Sequence, residues 1–145
     1  KGTSHEHHAY PGGLVVHTAE VVQTAQQMTA STAYQLSAKD EEKLIVAAIW
    51  HDVGKVFTYD ENGQKVDHDH WVGHLVTSYA NYTAYLSSLK VEYGAEPYAG
   101  IGHMILAHHG KREWGSPVEP QTVAAHILHY SDMMSMLYGR GKTSL

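Results

Sequence analysis

Apolar residues recur at three- and four-residue intervals along most of this chain, which is the spacing of one helix face after another. After Pro11-Gly12-Gly13, the positions Leu14, His17, Val21, Thr24 and Met28 share one stripe and predict a first helix running to about Thr29. Ser37, with Asp40 three residues on, is a helix-start pattern; it opens a second helix through Leu44, Ile45, Ala48 and His51 that stops near Gly54. A third spans about Trp71 to Leu89, with Val72, Leu75, Tyr79, Tyr82, Leu86 and Leu89 on its apolar side. A fourth begins near Pro97 and ends at Gly110, a residue suited to a helix C-terminus. A fifth begins near Pro120 and runs to Tyr138. It carries two apolar stripes, Ile127, Tyr130, Met134 and Leu137 on one and Ala125, His129, Asp132 and Met136 on the other, so it is expected at the centre of a bundle. Residues 56–67 break the pattern. Val56-Phe57-Thr58-Tyr59 and Gln64-Lys65-Val66 flank Asn62-Gly63, a tight-turn signal that predicts a small β-hairpin. The tail from Gly139 is expected to fray. With no repeat and no linker, the expected fold is all-α: one domain over residues 1–145, a bundle of about five or more helices with that hairpin attached.

Composition changes this picture in one respect. Thirteen histidines stand against 15 acidic residues. A tag or His-rich tail accounts for His5, His7 and His8 at most; the others are scattered to the far end, several inside helical patterns, where metal ligation explains them better. There is no cysteine, which excludes disulfides, thiolate metal sites and thiol catalysis and fits a cytoplasmic protein. The net charge of −5 gives no support to tight, nonspecific nucleic-acid binding and leaves a local basic patch at Lys111 and Arg112. No apolar run is long enough for a membrane span, and Lys1-Gly2-Thr3-Ser4-His5 lacks the apolar stretch of a signal peptide. The missing initiator Met leaves open that the chain is a fragment.

Polar residues at core positions carry the functional signal. His17 lies within the apolar stripe of the first helix, His51 does the same on the second with Asp52 beside it, and Asp132 lies within the fifth. A buried carboxylate without a partner costs several kcal/mol, of order ~5, so Asp132 calls for a cation or strong donors. Singly, each residue has an ordinary explanation: a hydrogen-bonded core histidine, a cap, an ion pair with Lys111 or Arg112. Jointly, three helices each aim a ligand-type side chain inward, and a divalent metal satisfies them together.

His51-Asp52-Val53-Gly54-Lys55 resembles the signature of the HD-domain metal-dependent phosphohydrolases. His17, in Gly12-Gly13-Leu14-Val15-Val16-His17-Thr18, matches that family's first ligand histidine, and Asp132, in His129-Tyr130-Ser131-Asp132, its last aspartate. The resemblance covers about residues 7–137. Further flanks, His8 before Gly-Gly, His108-His109-Gly110-Lys111, Gly115-Ser116-Pro117 and His129, are similar to the HD portion of bacterial 3′–5′ exoribonucleases, which pair it with an OB-type module, and to HD domains attached to relaxase proteins. The resemblance implies an HD-type helical bundle and a first metal on His17, His51, Asp52 and Asp132. It also implies a second ion bridged by Asp52, with His74 and His108 as its further ligands. Periodicity puts His108 on the inward stripe of Ile101, Met104 and Ile105. It leaves His74 between ligand and surface residue, on a flank with Ser78, Asn81 and Tyr85, and the resemblance makes it a ligand. His109 is expected to face the substrate or to exchange roles with His108.

Imidazole and carboxylate ligands suit Mn²⁺, Fe, Co²⁺, Ni²⁺ or Zn²⁺, one or two ions, and are too nitrogen-rich for Mg²⁺ or Ca²⁺ alone. The implied chemistry is attack on a phosphate ester, a nucleotide or a nucleic-acid end, by hydroxide made from metal-activated water. Lys55 and Lys111 are the candidate cations for phosphoryl charge, and His8 or His109 the candidate acid for the leaving oxygen. His68 and His70 are expected in a solvated loop, His103 and His126 in packing or at the rim. Glu20, one turn after His17, is a remote candidate for a third ion. Two other classes stay open on ligands alone: a di-iron oxygenase of the same six-ligand pattern, and a non-catalytic module that binds metal and nucleotide. Lys55 and the Gly110-Lys111 flank favour the hydrolase.

Overall fold

A computed structural model describes residues 12–62 and 64–141, and their regular structure is helical. Gly12 takes the left-handed turn at φ 84° that glycine adopts without steric cost and leads into α1 (Gly13–Thr29). Helix α2 (Ala38–Trp50) starts as the Ser37–Asp40 pattern predicts. The Ser37 hydroxyl oxygen accepts the Asp40 N–H at 3.1 Å, and its O–H donates to the Asp40 carboxylate at 2.8 Å. A 3₁₀ turn (Val53–Phe57) follows, then a short α3 (Asp67–Trp71) and α4 (His74–Ser88). A π-helical turn (Pro97–Ile101) runs straight into α5 (Gly102–Ala107), and α6 (Val123–Gly141) closes the chain.

Helix α1 packs on α6 and on α2, while α5 joins α2, α4 and α6 on the other side. Between them lie Val21, Ala25, Leu44, Ala47, Ala48, Tyr82, Ile105, Ile127 and Leu128, all buried. The alanines let the helix axes approach closely, which puts polar groups on facing helices within reach of one another. Gly54 does the same in the 3₁₀ turn after α2. A Cβ there would collide with the His74 carbonyl and with Ser78, whose Oγ accepts the Gly54 N–H at 2.8 Å. The turn after His51-Asp52 is thereby pressed onto the first turn of α4, which carries His74.

Three expectations need correction. Among the described residues no hairpin forms: residues 53–57 form the 3₁₀ turn, and pairing shrinks to an isolated antiparallel bridge between Tyr59 and Lys65. Two hydrogen bonds flank it, Val66 N–H to Thr58 O and Asp60 N–H to Gln64 O. Val56 and Phe57 are exposed, and among the described residues no neighbouring strand rewards a longer ladder. The helix predicted from Trp71 starts at His74, after Gly73 at φ 79°, and Asp67–Trp71, including His68 and His70, is a helical turn of its own rather than loop. Finally, α6 begins at Val123, runs on to Gly141, and is not buried all round. Tyr130, Met134 and Leu137 are about half exposed, because the helix is covered by α1, α2 and α5 on one side. Among the described residues no helix is long and apolar enough to cross a membrane.

Candidate metal centre

The inward faces of α1, α2 and α6 meet at four buried side chains: His17, His51, Asp52 and Asp132. His17 Nε2 lies 3.0 Å from Asp132 Oδ1, 3.2 Å from Asp52 Oδ2 and 3.2 Å from His51 Nε2. His51 Nε2 lies 3.5 Å from Asp52 Oδ2 and 3.7 Å from Asp132 Oδ1. The other oxygen of Asp52 turns towards a second group, His74, His108 and His109. Its Oδ1 is 3.4 Å from His74 Nε2 and 3.5 Å from His108 Nε2, and His74 Nε2 is 3.2 Å from His109 Nε2. Asp52 thus stands between the two clusters, with Lys55 Nζ 2.6 Å from its Oδ2.

The far nitrogens show what the near ones need. Nδ1–H of His51 donates to Ala48 O at 2.7 Å, that of His108 to Ile105 O at 2.7 Å, and that of His109 to Trp114 O at 2.9 Å. A carbonyl accepts and cannot donate, so each Nδ1 holds its hydrogen and each neutral ring presents a bare lone pair at Nε2. His17 reaches the same state by another route. Its Nδ1 is 2.9 Å from Ser135 Oγ, and the Ser135 hydroxyl hydrogen is already donated to Glu20 Oε2 at 2.7 Å, so Ser135 accepts from His17. Lone pairs of His17 and His51 facing each other at 3.2 Å repel unless a proton or a cation sits between them. Apart from the Lys55 ammonium beside its Oδ2, the buried Asp52 carboxylate has no directed hydrogen bond among the described residues, and neither has the buried Nε2 of His108. Orphaned acceptors converging in two groups fit divalent metal ions, and the donor set, imidazole nitrogen with carboxylate oxygen, fits transition metals.

A family model for the HD domain matches residues 14–137. The chain belongs to the HD-domain family. It is similar to the 3′–5′ exoribonuclease YhaM of Bacillus licheniformis, with 32% identity over 134 residues, 87% of this chain and 39% of that protein. It is also similar to the 3′–5′ exoribonuclease YhaM of Bacillus velezensis, with 31% identity over the same shares. The chain therefore spans about two fifths of the length of these relatives. No solved structure matches it.

Electrostatically the two clusters of this HD domain differ. Burial works against a charged His51, yet Asp52 and Asp132 overrule it and push the ring up to about 10; His17 is raised in the same way. Burial would also raise Asp52 and Asp132, but His51, Lys55 and His108 hold Asp52 far below the carboxylate range, and His17 and His51 do so for Asp132. His74 goes the other way, down to about 3, through burial that Asp52 opposes and Lys55, His108 and His109 reinforce. His109 is lowered too, by burial and by His108.

Of the expected site residues, the structure brings together His17, His51, Asp52, Asp132, His74, His108 and Lys55. It groups His109 with His74 and His108 rather than leaving it to face the substrate alone. It does not bring Lys111 to the carboxylates: the ammonium lies 4.7 Å over the Trp114 ring and 3.7 Å from Glu113. His8 lies outside the described residues. Glu20 is engaged by Ser135, while His103 accepts the Gln121 N–H and His126 lies against Tyr130. Sequence reasoning missed Ser135; its signal was a polar residue three positions after Asp132 on the inward face of α6. Because metal-binding histidines are oriented through their far nitrogen, Ser135→Ala is expected to weaken metal binding at the His17 cluster about tenfold. Glu20→Gln, which keeps an acceptor, should cost less. Chelator competition on both variants checks this, and unchanged affinity in Ser135→Ala would remove the role.

Proposed function

We propose that this HD domain is a metal-dependent phosphohydrolase that cleaves a phosphodiester or phosphomonoester of a nucleotide or a nucleic-acid end. The observation that carries the reading is the buried Asp52 carboxylate, its two oxygens divided between two groups of imidazole nitrogens. His17, His51, Asp52 and Asp132 would hold one divalent ion; Asp52, His74, His108 and His109 would hold another. Ions so held supply Lewis-acid activation of water and of the phosphoryl oxygens. The chain's own groups do the rest. The carbonyls of Ala48, Ile105 and Trp114 fix the imidazole tautomers, and burial excludes bulk water from Asp52. Lys55, its side chain 40% exposed, orients Asp52 and presents a cation at the solvent side, where phosphate charge develops.

The relatives carry the name 3′–5′ exoribonuclease, which supports a nucleic-acid 3′ end as substrate and favours hydrolysis over oxygen chemistry. The test is turnover by Mn²⁺-loaded protein of bis-p-nitrophenyl phosphate, p-nitrophenyl phosphate and a short RNA with a free 3′ hydroxyl. Diesterase activity that chelation abolishes and metal restores is expected. Absence of turnover on all three, with both ions bound, would overturn the reading.

A further inference from the structure

A row of rings leads from the second cluster out to the surface of α6. Trp114, 50% exposed, lies 6.2 Å from His129 at an interplanar angle of 27°. His129 is 5.0 Å from Tyr130, itself 51% exposed, and Tyr130 is 6.5 Å from His126 at 21°. Two backbone carbonyls tie this row to the site. Trp114 O accepts the Nδ1–H of His109, and His108 O accepts the Nδ1–H of His129 at 2.8 Å. Gly110, at φ 84°, leaves the space in which the His129 ring lies, since a Cβ there would overlap it. The buried histidine is thereby locked, and the two exposed rings beside it stand on a fixed base. Lys111 covers Trp114 with a half-exposed ammonium, and Arg112 next to it is exposed.

We propose that Trp114 and Tyr130 form a stacking platform for the bases of a single-stranded nucleic acid whose phosphodiester lies at the metal centre; this rests on the phosphohydrolase reading. Rings held rigidly at the surface gain by taking a flat partner on their faces, and every base offers one, so recognition there tolerates any sequence. A duplex keeps its base faces stacked inside and does not fit. With a net charge of −5, phosphate attraction cannot carry the binding. Lys111 and Arg112, with Lys55 at the metal centre, neutralise about three phosphates, a salt slope of about −2 for a single strand, and stacking supplies the remainder. Lys111 then moves from the Trp114 face to a phosphate as a base takes its place.

The probe is a fluorescein-labelled phosphorothioate RNA hexamer titrated against the Mn²⁺-loaded chain. Trp114→Ala and Tyr130→Ala are each expected to weaken binding about 5- to 100-fold. Trp114→Phe should retain most of the affinity, and Tyr130→Ala should turn over bis-p-nitrophenyl phosphate within about twofold of wild type. Wild-type affinity in both alanine variants, or a salt slope near −4 or steeper, overturns the platform. So does failure of the wild type to bind the hexamer. A wild type that binds the hexamer through these rings but hydrolyses no ester upholds the platform and locates the failure in the phosphohydrolase reading.

Discussion

Asp52→Ala is expected to lower turnover of bis-p-nitrophenyl phosphate by about a thousandfold or more in Mn²⁺-loaded protein. The size follows from position. Asp52 is 1% exposed and has Nε2 of His17, His51, His74 and His108 within 3.2–3.5 Å of its two oxygens. Removing it takes negative charge from both clusters at once and leaves Lys55 without its 2.6 Å partner. Metal content measured on the same sample should fall, and the rise in melting temperature on adding metal should shrink, since an ion stabilises only as far as the folded state binds it. A variant that retains both ions and full turnover would sink the assignment. One that keeps metal and loses turnover would leave Asp52 to catalysis alone.

The parts of this centre that were legible in the sequence interrupt or continue the apolar stripe of a helix, as His51 and His108 do at the C-terminal ends of α2 and α5. His17 among Leu14, Val21 and Met28, and Asp132 within α6, stand at positions whose inward direction the 3.6-residue period fixes. The period has no such authority at the start of α4. His74 is the first residue of α4, after a glycine at φ 79°, so counting along the helix could not decide its direction. His108 and His109 follow the last residue of α5, where the chain leaves the helix and two successive side chains can reach one site; the sequence therefore left His109 between facing the substrate and exchanging roles with His108. Ser135 escaped notice because serine is an unremarked residue until its hydroxyl is seen between His17 and Glu20. The hairpin failed for a different reason. A local turn signal at Asn62-Gly63 is not enough where Val56 and Phe57 find no surface to cover.

Metal binding at the His17 cluster is expected to strengthen by up to about a hundredfold per pH unit around neutrality, whereas the His74 cluster should respond far less. Ligation needs a neutral ring. In the metal-free protein the carboxylates raise both His17 and His51, the latter to about 10, so an ion entering there must expel about two protons. His74, pushed down to about 3, and His109, also lowered, are already neutral and release none. The same shifts act on folding in the opposite sense. Raised histidines stabilise the metal-free fold fully below their ordinary 6.5, and that contribution fades as pH climbs towards about 10. The depressed Asp52 and Asp132 contribute above their ordinary 3.8 and fail as the solution acidifies below it. Depressed His74 and His109 destabilise the fold as the solution acidifies below their ordinary 6.5, so the metal-free protein is best held together near pH 6.5, where the His17 cluster still binds metal poorly, and the stabilisation by metal should grow from pH 6 to pH 8. Calorimetric titration with Zn²⁺ in buffers of different ionisation enthalpy counts the protons directly. Equal proton release from both sites, or none from either, would show that protons do not hold the place of the first ion between His17, His51, Asp52 and Asp132.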